Sequence, residues 1–242
     1  MLMANRRKRR ARYKKTITHP SAPWWEEYSW FLLIGTGLLV IVGFIAWKEM
    51  RLPLSGTAAD AAFMEQSRPF EISYGDEDAP VTMIEYASLT CGSCKHFHAE
   101  AVKPLESSYI RNGQVRYVFR HYPLNAPALD GALLLTCLPS ERAKPVIDTL
   151  FTNQDIWALA DDPRSHLRDY FKAAGMSGAD IERCLNNDEQ KEALAAEQQK
   201  ARETLNISST PTVFINGRLY SGLKRLKEIK YTIDFLLNKS DD

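Results

Sequence analysis

Four residues of this 242-residue chain, Cys91-Gly92-Ser93-Cys94, carry its clearest chemistry. The apolar run 81–87 precedes them and the amphipathic run 95–102 follows. That pattern places the pair at a strand-to-helix junction, with Cys91 at the helix N-terminus. Unpaired amide N–H groups and the helix dipole favour an anion there. A thiolate is stabilised, its pKa falls, and the thiol becomes a usable nucleophile and leaving group. Cys94 sits one turn further in, close enough for an intramolecular disulfide. The spacing predicts redox chemistry between two sulfurs.

Cys-x-x-Cys is also half of many zinc sites. His96 and His98 lie nearby, but residues two apart on a helix point to different sides. The other cysteines, Cys137 and Cys184, stand far apart with no companion ligands. No metal and no cofactor is expected. A purely structural Cys91–Cys94 bridge is a poor use of this spacing, because so small a ring adds little loop-closure stability.

A second motif follows about 120 residues later. Residues 209–217, Ser-Thr-Pro-Thr-Val-Phe-Ile-Asn-Gly, read as a Pro-led strand ending in an Asn216-Gly217 hairpin turn. Residues 218–221 are the expected return strand. From 224 to 237 the apolar positions take helical spacing.

Together the two motifs resemble the thioredoxin fold, and more closely the DsbA-like thiol:disulfide oxidoreductases. The match lies in 85–94, with Phe97-His98, and in 210–217. The resemblance implies that Pro211 is cis and packs beside the cysteines, and that Thr210 pairs its backbone with substrate. It also implies a buried acid six residues before the first cysteine, which is Glu85. The expected roles are nucleophile for Cys91, buried resolving sulfur for Cys94, and proton acceptor and donor for Glu85. A Glu85 carboxylate paired with Arg116 or Arg120 is the competing reading. The inter-cysteine pair here is Gly92-Ser93, not the Pro-His of strongly oxidising members. The implied activity is disulfide formation in exported polypeptides, with a membrane-embedded redox partner recycling the enzyme. A disulfide isomerase or reductant, or a redox-inactive peptide-binding chaperone, would use the same groove.

The elements that must hold these motifs can be read around them. Residues 115–120 read as a strand after the Asn112-Gly113 turn, giving strand–helix–strand over 81–120 with a right-handed crossover. Pro104 lies inside the helix and is expected to kink it. From 124 to 206 strand signals stop. Helices are expected at 126–138, 144–160, 163–174, 178–186 and 188–205, separated by Pro or Gly. The fold class is therefore α/β: a thioredoxin fold with a helical insertion at about 124–206, within a domain at 69–242.

The N-terminal quarter differs in kind. Residues 6–15 carry eight positive charges, and residues 28–47 carry none of either sign. Twenty helical residues span about 30 Å, the thickness of a hydrocarbon core. Trp24, Trp25, Tyr28 and Trp30 at one end and Trp47 at the other form an interfacial aromatic pattern. The expectation is a cytoplasmic basic tail (1–27), a transmembrane anchor (28–47), a tether (48–68) and a catalytic domain in the periplasm or otherwise outside the cytoplasm. The apolar run exceeds that of a signal peptide. Residues 1–47 carry a net +6, which leaves −5 on 48–242 out of +1 overall. The exported part has no basic stripe, so nucleic acid is not an expected partner. In an oxidising compartment an even number of cysteines tends to pair, which predicts a Cys137–Cys184 disulfide. Two separate buried thiols are the alternative.

Overall fold

The computed structural model describes residues 37, 39–43, 57–58, 63–64, 66–220 and 226–240. Residues 1–50 form one unit and 51–242 another. In the first, residues 37 and 39–43 are helical and exposed. The rest of the expected anchor at 28–47, and the basic tail 1–27, lie outside the described residues. Among the described residues no helix is long and apolar enough to cross a membrane.

The second unit is organised by a six-stranded sheet. Its strands are β1 (Thr57–Ala58), β2 (Ile72–Tyr74), β3 (Val81–Ala87), β4 (Val115–His121), β5 (Thr212–Ile215) and β6 (Arg218–Leu219). Their order is β1-β6-β5-β3-β4-β2, and only β3 and β4 are parallel. The parallel pair needs a crossover, which the helical stretch 92–110 supplies.

Alternation along the strands decides which side chains meet. Val81, Met83, Ala87, Val115, Tyr117, Phe119, Val213 and Ile215 point into one core, under the crossover helix and the helical insertion. Ile84, Tyr86, Val118 and Phe214 point into a second core with Phe63, Met64, Ala201, Leu205 and Ile207. Both faces are covered, so both sets are apolar.

The crossover starts as α1 (Gly92–Phe97) and passes through a π-helical turn at His98–Val102. A short α2 (Lys103–Leu105) and a second π turn at Glu106–Ile110 complete it. Pro104 lies between the two π turns. It lacks the N–H for the ordinary helical bond, and the winding widens around it without breaking.

The insertion comprises α3 (Ala126–Thr136), α4 (Ser140–Thr152), α5 (Gln154–Trp157), α6 (Pro163–Ala173), α7 (Gly178–Leu185) and α8 (Asp188–Leu205). The single helix expected at 144–160 is two, broken at Asn153, and the first starts earlier, after Pro139. Side-chain caps fix four of the starts: Asn125, Asp162, Ser177 and Asn187 each accept the N–H of the residue three positions on. Gly131 is required for packing. A Cβ there would come within 2.8 Å of Leu89, in the loop that leads to Cys91. Cys137 and Cys184 are joined in a disulfide that ties the end of α3 to α7 across 47 residues. The closing helix, α9 (Leu226–Ser240), lays Ile229 and Ile233 on the first core.

The sheet also holds chain from before residue 69, within the stretch 48–68 that reads as a tether. Thr57–Ala58 pair with β6, and Phe63 and Met64 are buried on the sheet. Arg120 on β4 explains how this segment is held. It is 5% exposed and pairs with Glu71 at 2.9 Å. It also donates to the Tyr86 hydroxyl at 3.0 Å, the Gln66 carbonyl at 3.0 Å and the Met64 carbonyl at 3.4 Å. One guanidinium thus stitches residues 64–71 to the sheet. Replacing it leaves the buried Glu71 carboxylate without its counter-ion, held only by the Ser67 hydroxyl at 3.0 Å, and takes the guanidinium donor from two carbonyls. Arg120→Met should therefore lose about 3–5 kcal/mol, the usual cost of breaking a buried pair from one side. Urea unfolding monitored by circular dichroism measures this, and a loss below about 1 kcal/mol would mean the pairing is only a surface one.

Candidate functional site

Cys91 is the N-cap of α1, with extended backbone (φ −82°, ψ 118°). Its position is set by bonds to three separate elements. Its N–H reaches the Ser88 carbonyl at 3.1 Å, and its carbonyl accepts from Lys95 N at 3.0 Å. The Gln154 amide, buried in α5, donates to the carbonyls of Leu89 at 2.8 Å and Cys91 at 3.1 Å. The Ser88 hydroxyl accepts from Leu124 N at 3.3 Å, and Thr90 donates to the Asn125 carboxamide at 3.1 Å. The helical insertion therefore clamps the loop that presents the sulfur. Gln154 was invisible in the sequence: a lone glutamine at a helix break carries no motif.

The two sulfurs are free and unequal. Cys91 is half-buried and Cys94 fully buried. The Cys91 thiol donates to the Thr210 carbonyl at 3.4 Å, across a cis Thr210–Pro211 bond. The Thr210 hydroxyl is buried and has no partner among the described residues, leaving it available to an ionised sulfur. The Cys94 thiol lowers the Cys91 pKa most, by donating to it. The Thr210 side chain and the amides of Cys94 and Ser93 assist, against partial burial, and the value falls to about 5. Cys94 moves the opposite way. Its bond to Cys91, its burial and the nearby Glu85 charge all hold it protonated far above the usual thiol range.

Glu85 projects from β3 into the same core, with no exposed surface. Burial is the main cause that lifts its pKa to about 8; the Cys91 charge adds to the rise and a hydrogen bond from Tyr117 opposes it. The pairing with Arg116 or Arg120 does not form. Tyr117 and Glu85 share a sheet face, whereas Arg116 and Arg120 lie at alternate positions on the other. Tyr117, like Gln154, is a site residue that the sequence reading missed. Its signal was parity along β4.

The two histidines separate. His96 is exposed and lines the groove beside the cysteines. His98 is buried, bonded to Asp148 at 2.7 Å and tilted against Phe151. That groove, about 750 Å³, runs from Gly92 and Ser93 past Thr210 and Pro211 to Tyr220. Cys137 and Cys184 do not line it; they border a separate depression with Arg142 and Arg183.

Residues 67–235 match the family model described as thioredoxin. The chain belongs to the thioredoxin family. Among solved structures it resembles Wolbachia pipientis alpha-DsbA1, at 28% identity and a TM-score of 0.68, over 74% of this chain and 96% of that one. It is 26% identical over 144 residues to a Rickettsia bellii protein named for protein-disulfide oxidoreductase activity. That match spans 59% of this chain and 56% of the relative's length. It is 24% identical over 170 residues to disulfide bond formation protein D of Bacillus subtilis, covering 66% of this chain and 74% of that protein. The fold is thus the DsbA variant of thioredoxin, with its helical insertion.

This geometry gives two outcomes for solution measurement. Iodoacetamide should label Cys91 of the reduced protein with a midpoint near pH 5, while Cys94 stays unlabelled until the protein unfolds. Mass spectrometry of the two peptides reads it, and equal labelling at pH 6 would remove the assignment of Cys91 as nucleophile.

Glu85 binds its proton more tightly folded than unfolded. Its contribution to stability is complete below about pH 4.5 and is lost as pH rises toward 8. Glu85→Gln lacks this loss. In the oxidised protein neither sulfur titrates and the Cys91 charge is gone, but burial still raises the Glu85 pKa, so the variant should gain on wild type as pH rises above about 4.5. The slope approaches at most about 1.4 kcal/mol per pH unit, the one-proton limit. A pH-independent gap between the two would mean that Glu85 is ionised throughout.

Proposed function

We propose that this chain is a thiol:disulfide oxidoreductase that works as an oxidase, forming disulfides in exported polypeptides. The observation that carries the reading is the inequality of the two sulfurs. In the oxidised state a substrate thiolate attacks Cys91, the sulfur that faces the groove. The Cys91–Cys94 bond breaks and its electron pair stays on Cys94, which takes up a proton supplied by Glu85. A second substrate thiolate then attacks the substrate sulfur of the mixed disulfide. Cys91 leaves as a thiolate, and the substrate holds the new disulfide. The reduced pair must pass its two electrons to a recycling partner, for which a membrane-embedded redox protein is the proposed identity.

The direction follows from the leaving group. The lower the Cys91 pKa, the more stable the reduced protein and the stronger the oxidant. A value near 5 lies between about 7 in thioredoxin and about 3.5 in DsbA. The potential should therefore fall between roughly −270 mV and −120 mV, the values of those two proteins. Gly92-Ser93 supplies no imidazole to lower it further, so Gly92→Pro with Ser93→His should raise the potential by tens of millivolts. Equilibration with glutathione measures both. A wild-type value at or below about −270 mV would replace the oxidase reading with a reductant one. Peptide-folding assistance that survives Cys91→Ser with Cys94→Ser would support the chaperone reading.

The location proposed is an inner or plasma membrane, with residues 28–47 as an uncleaved anchor, the N-terminus cytoplasmic and the catalytic domain outside. The supporting feature is the basic cluster that directly precedes the uncharged run. Alkaline phosphatase, active only outside the cytoplasm, should be active when fused after residue 68. Recovery of a soluble mature protein that starts near Asp60 would show cleavage instead.

A further inference from the structure

The exchange reaction proposed above requires a proton to reach Cys94, and the sulfur and the acid that supplies the proton are both sealed. Cys94, Glu85 and Tyr117 have no exposed surface. Glu85 Oε1 has no hydrogen-bond partner among the described residues, and its Oε2 accepts from the Tyr117 hydroxyl. Glu85 can hand its own proton to the Cys94 thiolate once. It must then be reprotonated, and solvent does not touch it.

One route leads outward. The Tyr74 ring lies 4.8 Å from that of Tyr117, its direct partner across the β2–β4 ladder. Tyr74 is on β2, the last strand of the sheet, and is only partly buried. Beyond it lies a cluster open to solvent. Lys144 Nζ stands 5.3 Å from the Tyr74 ring centre and bonds to Glu106 at 2.9 Å and Asp148 at 3.4 Å. The side chains of these three residues are 22–26% exposed. The groups that face Glu85 are Tyr117 from β4, Cys91 and Cys94 from the α1 segment, and Tyr74 from β2; β5 offers only Val213. Those that face Tyr74 are Tyr117 and Glu85 within, and Glu106, Asp148 and Lys144 without.

We propose that Tyr117 and Tyr74 form the proton path between the sealed Glu85–Cys94 pair and solvent. When the disulfide opens, Glu85 gives its proton to the Cys94 thiolate. The Tyr117 hydroxyl gives its proton to the Glu85 carboxylate and receives one from the Tyr74 hydroxyl. Solvent at the Lys144–Asp148–Glu106 cluster reprotonates Tyr74. One proton moves from solvent to Cys94 and neither tyrosine changes state. Reoxidation runs the same chain in reverse. Both tyrosines act through Glu85 and are positioning residues.

The test uses the full-length protein in two states. In the oxidised state no sulfur titrates and no substrate is needed. A pH jump across the Glu85 midpoint, located first by equilibrium titration of the same band, should relax the protonated-carboxyl infrared band that Glu85→Gln removes. Tyr74→Phe and Tyr117→Phe keep the rings and delete the hydroxyls. Each should slow that relaxation about a hundredfold, the low end of what a positioned proton donor contributes. Tyr117→Phe should also raise the Glu85 midpoint, because it removes a bond that favours the carboxylate. Tyr74→Phe should leave the glutathione equilibrium within about twofold of wild type, since a path alters rates and not end points. In the second state, oxidised protein is mixed with dithiothreitol and a pH indicator. Proton uptake should keep pace with disulfide opening in wild type and lag behind it in both variants. Relaxation at the wild-type rate in both variants would overturn the path and point to water entry at Glu85 Oε1. Failure of wild-type protein to open its disulfide at all would remove the exchange reading, while the infrared arm still decides the path.

Discussion

The Cys94 thiol favours the ionised form of Cys91 by donating to it, and the rest of the site depends on that inequality. The same contact lowers the Cys91 pKa and raises that of Cys94, so Cys91 is the sulfur that ionises first. A symmetric environment would give neither preference. The fold breaks the symmetry by depth. Cys91 caps α1, where amide N–H groups and the Thr210 side chain meet its charge. Cys94, three residues on, faces the core and has no exposed surface. Burial penalises a Cys94 thiolate and the helix end rewards a Cys91 thiolate, so the two effects add.

The same argument explains why much of the structure is spent on a loop. A few tenths of an ångström decide whether a sulfur sits in reach of an amide or a carbonyl. Gln154 holds two loop carbonyls, the Asn125 side chain reaches both Thr90 and the N-terminus of α3, and Gly131 lets α3 approach Leu89 closely. All three come from the helical insertion. Its position over the active loop makes it a clamp as well as a cover for the first core.

The cysteine pair, Pro211, the hairpin and the α/β class with its insertion were legible because each has a local pattern: spacing, a turn dipeptide or a run of helical periodicity. The β3 and β5 strands were legible for the same reason. What was not legible depends on partners far along the chain. β2 is three residues long and exists because β4 offers it a ladder. Phe63 and Met64 sit in an Ala-rich stretch that reads as tether, yet the sheet face above Phe214 needs them as cover. Gln154 shows in no pattern because its acceptors are backbone carbonyls more than sixty residues away in sequence.

Glu85 illustrates how far register governs chemistry. The sequence offered two arginines on the neighbouring strand as partners for it. In the observed register Val81 faces Val115, so odd positions of β3 and β4 share one face and even positions the other. Arg116 and Arg120 then lie across the sheet from Glu85, and Arg120 is committed to Glu71. The group that reaches Glu85 is the neutral phenol of Tyr117. A guanidinium would have favoured the carboxylate by a full charge and held its pKa low. A phenol offers one neutral hydrogen bond, too little to offset complete burial, and the pKa stays near 8. A carboxyl that is protonated at neutral pH can donate a proton to a departing thiolate, which a salt-bridged one cannot. One residue of slip between β3 and β4 would exchange the two faces and remove that capacity, with both cysteines still in place.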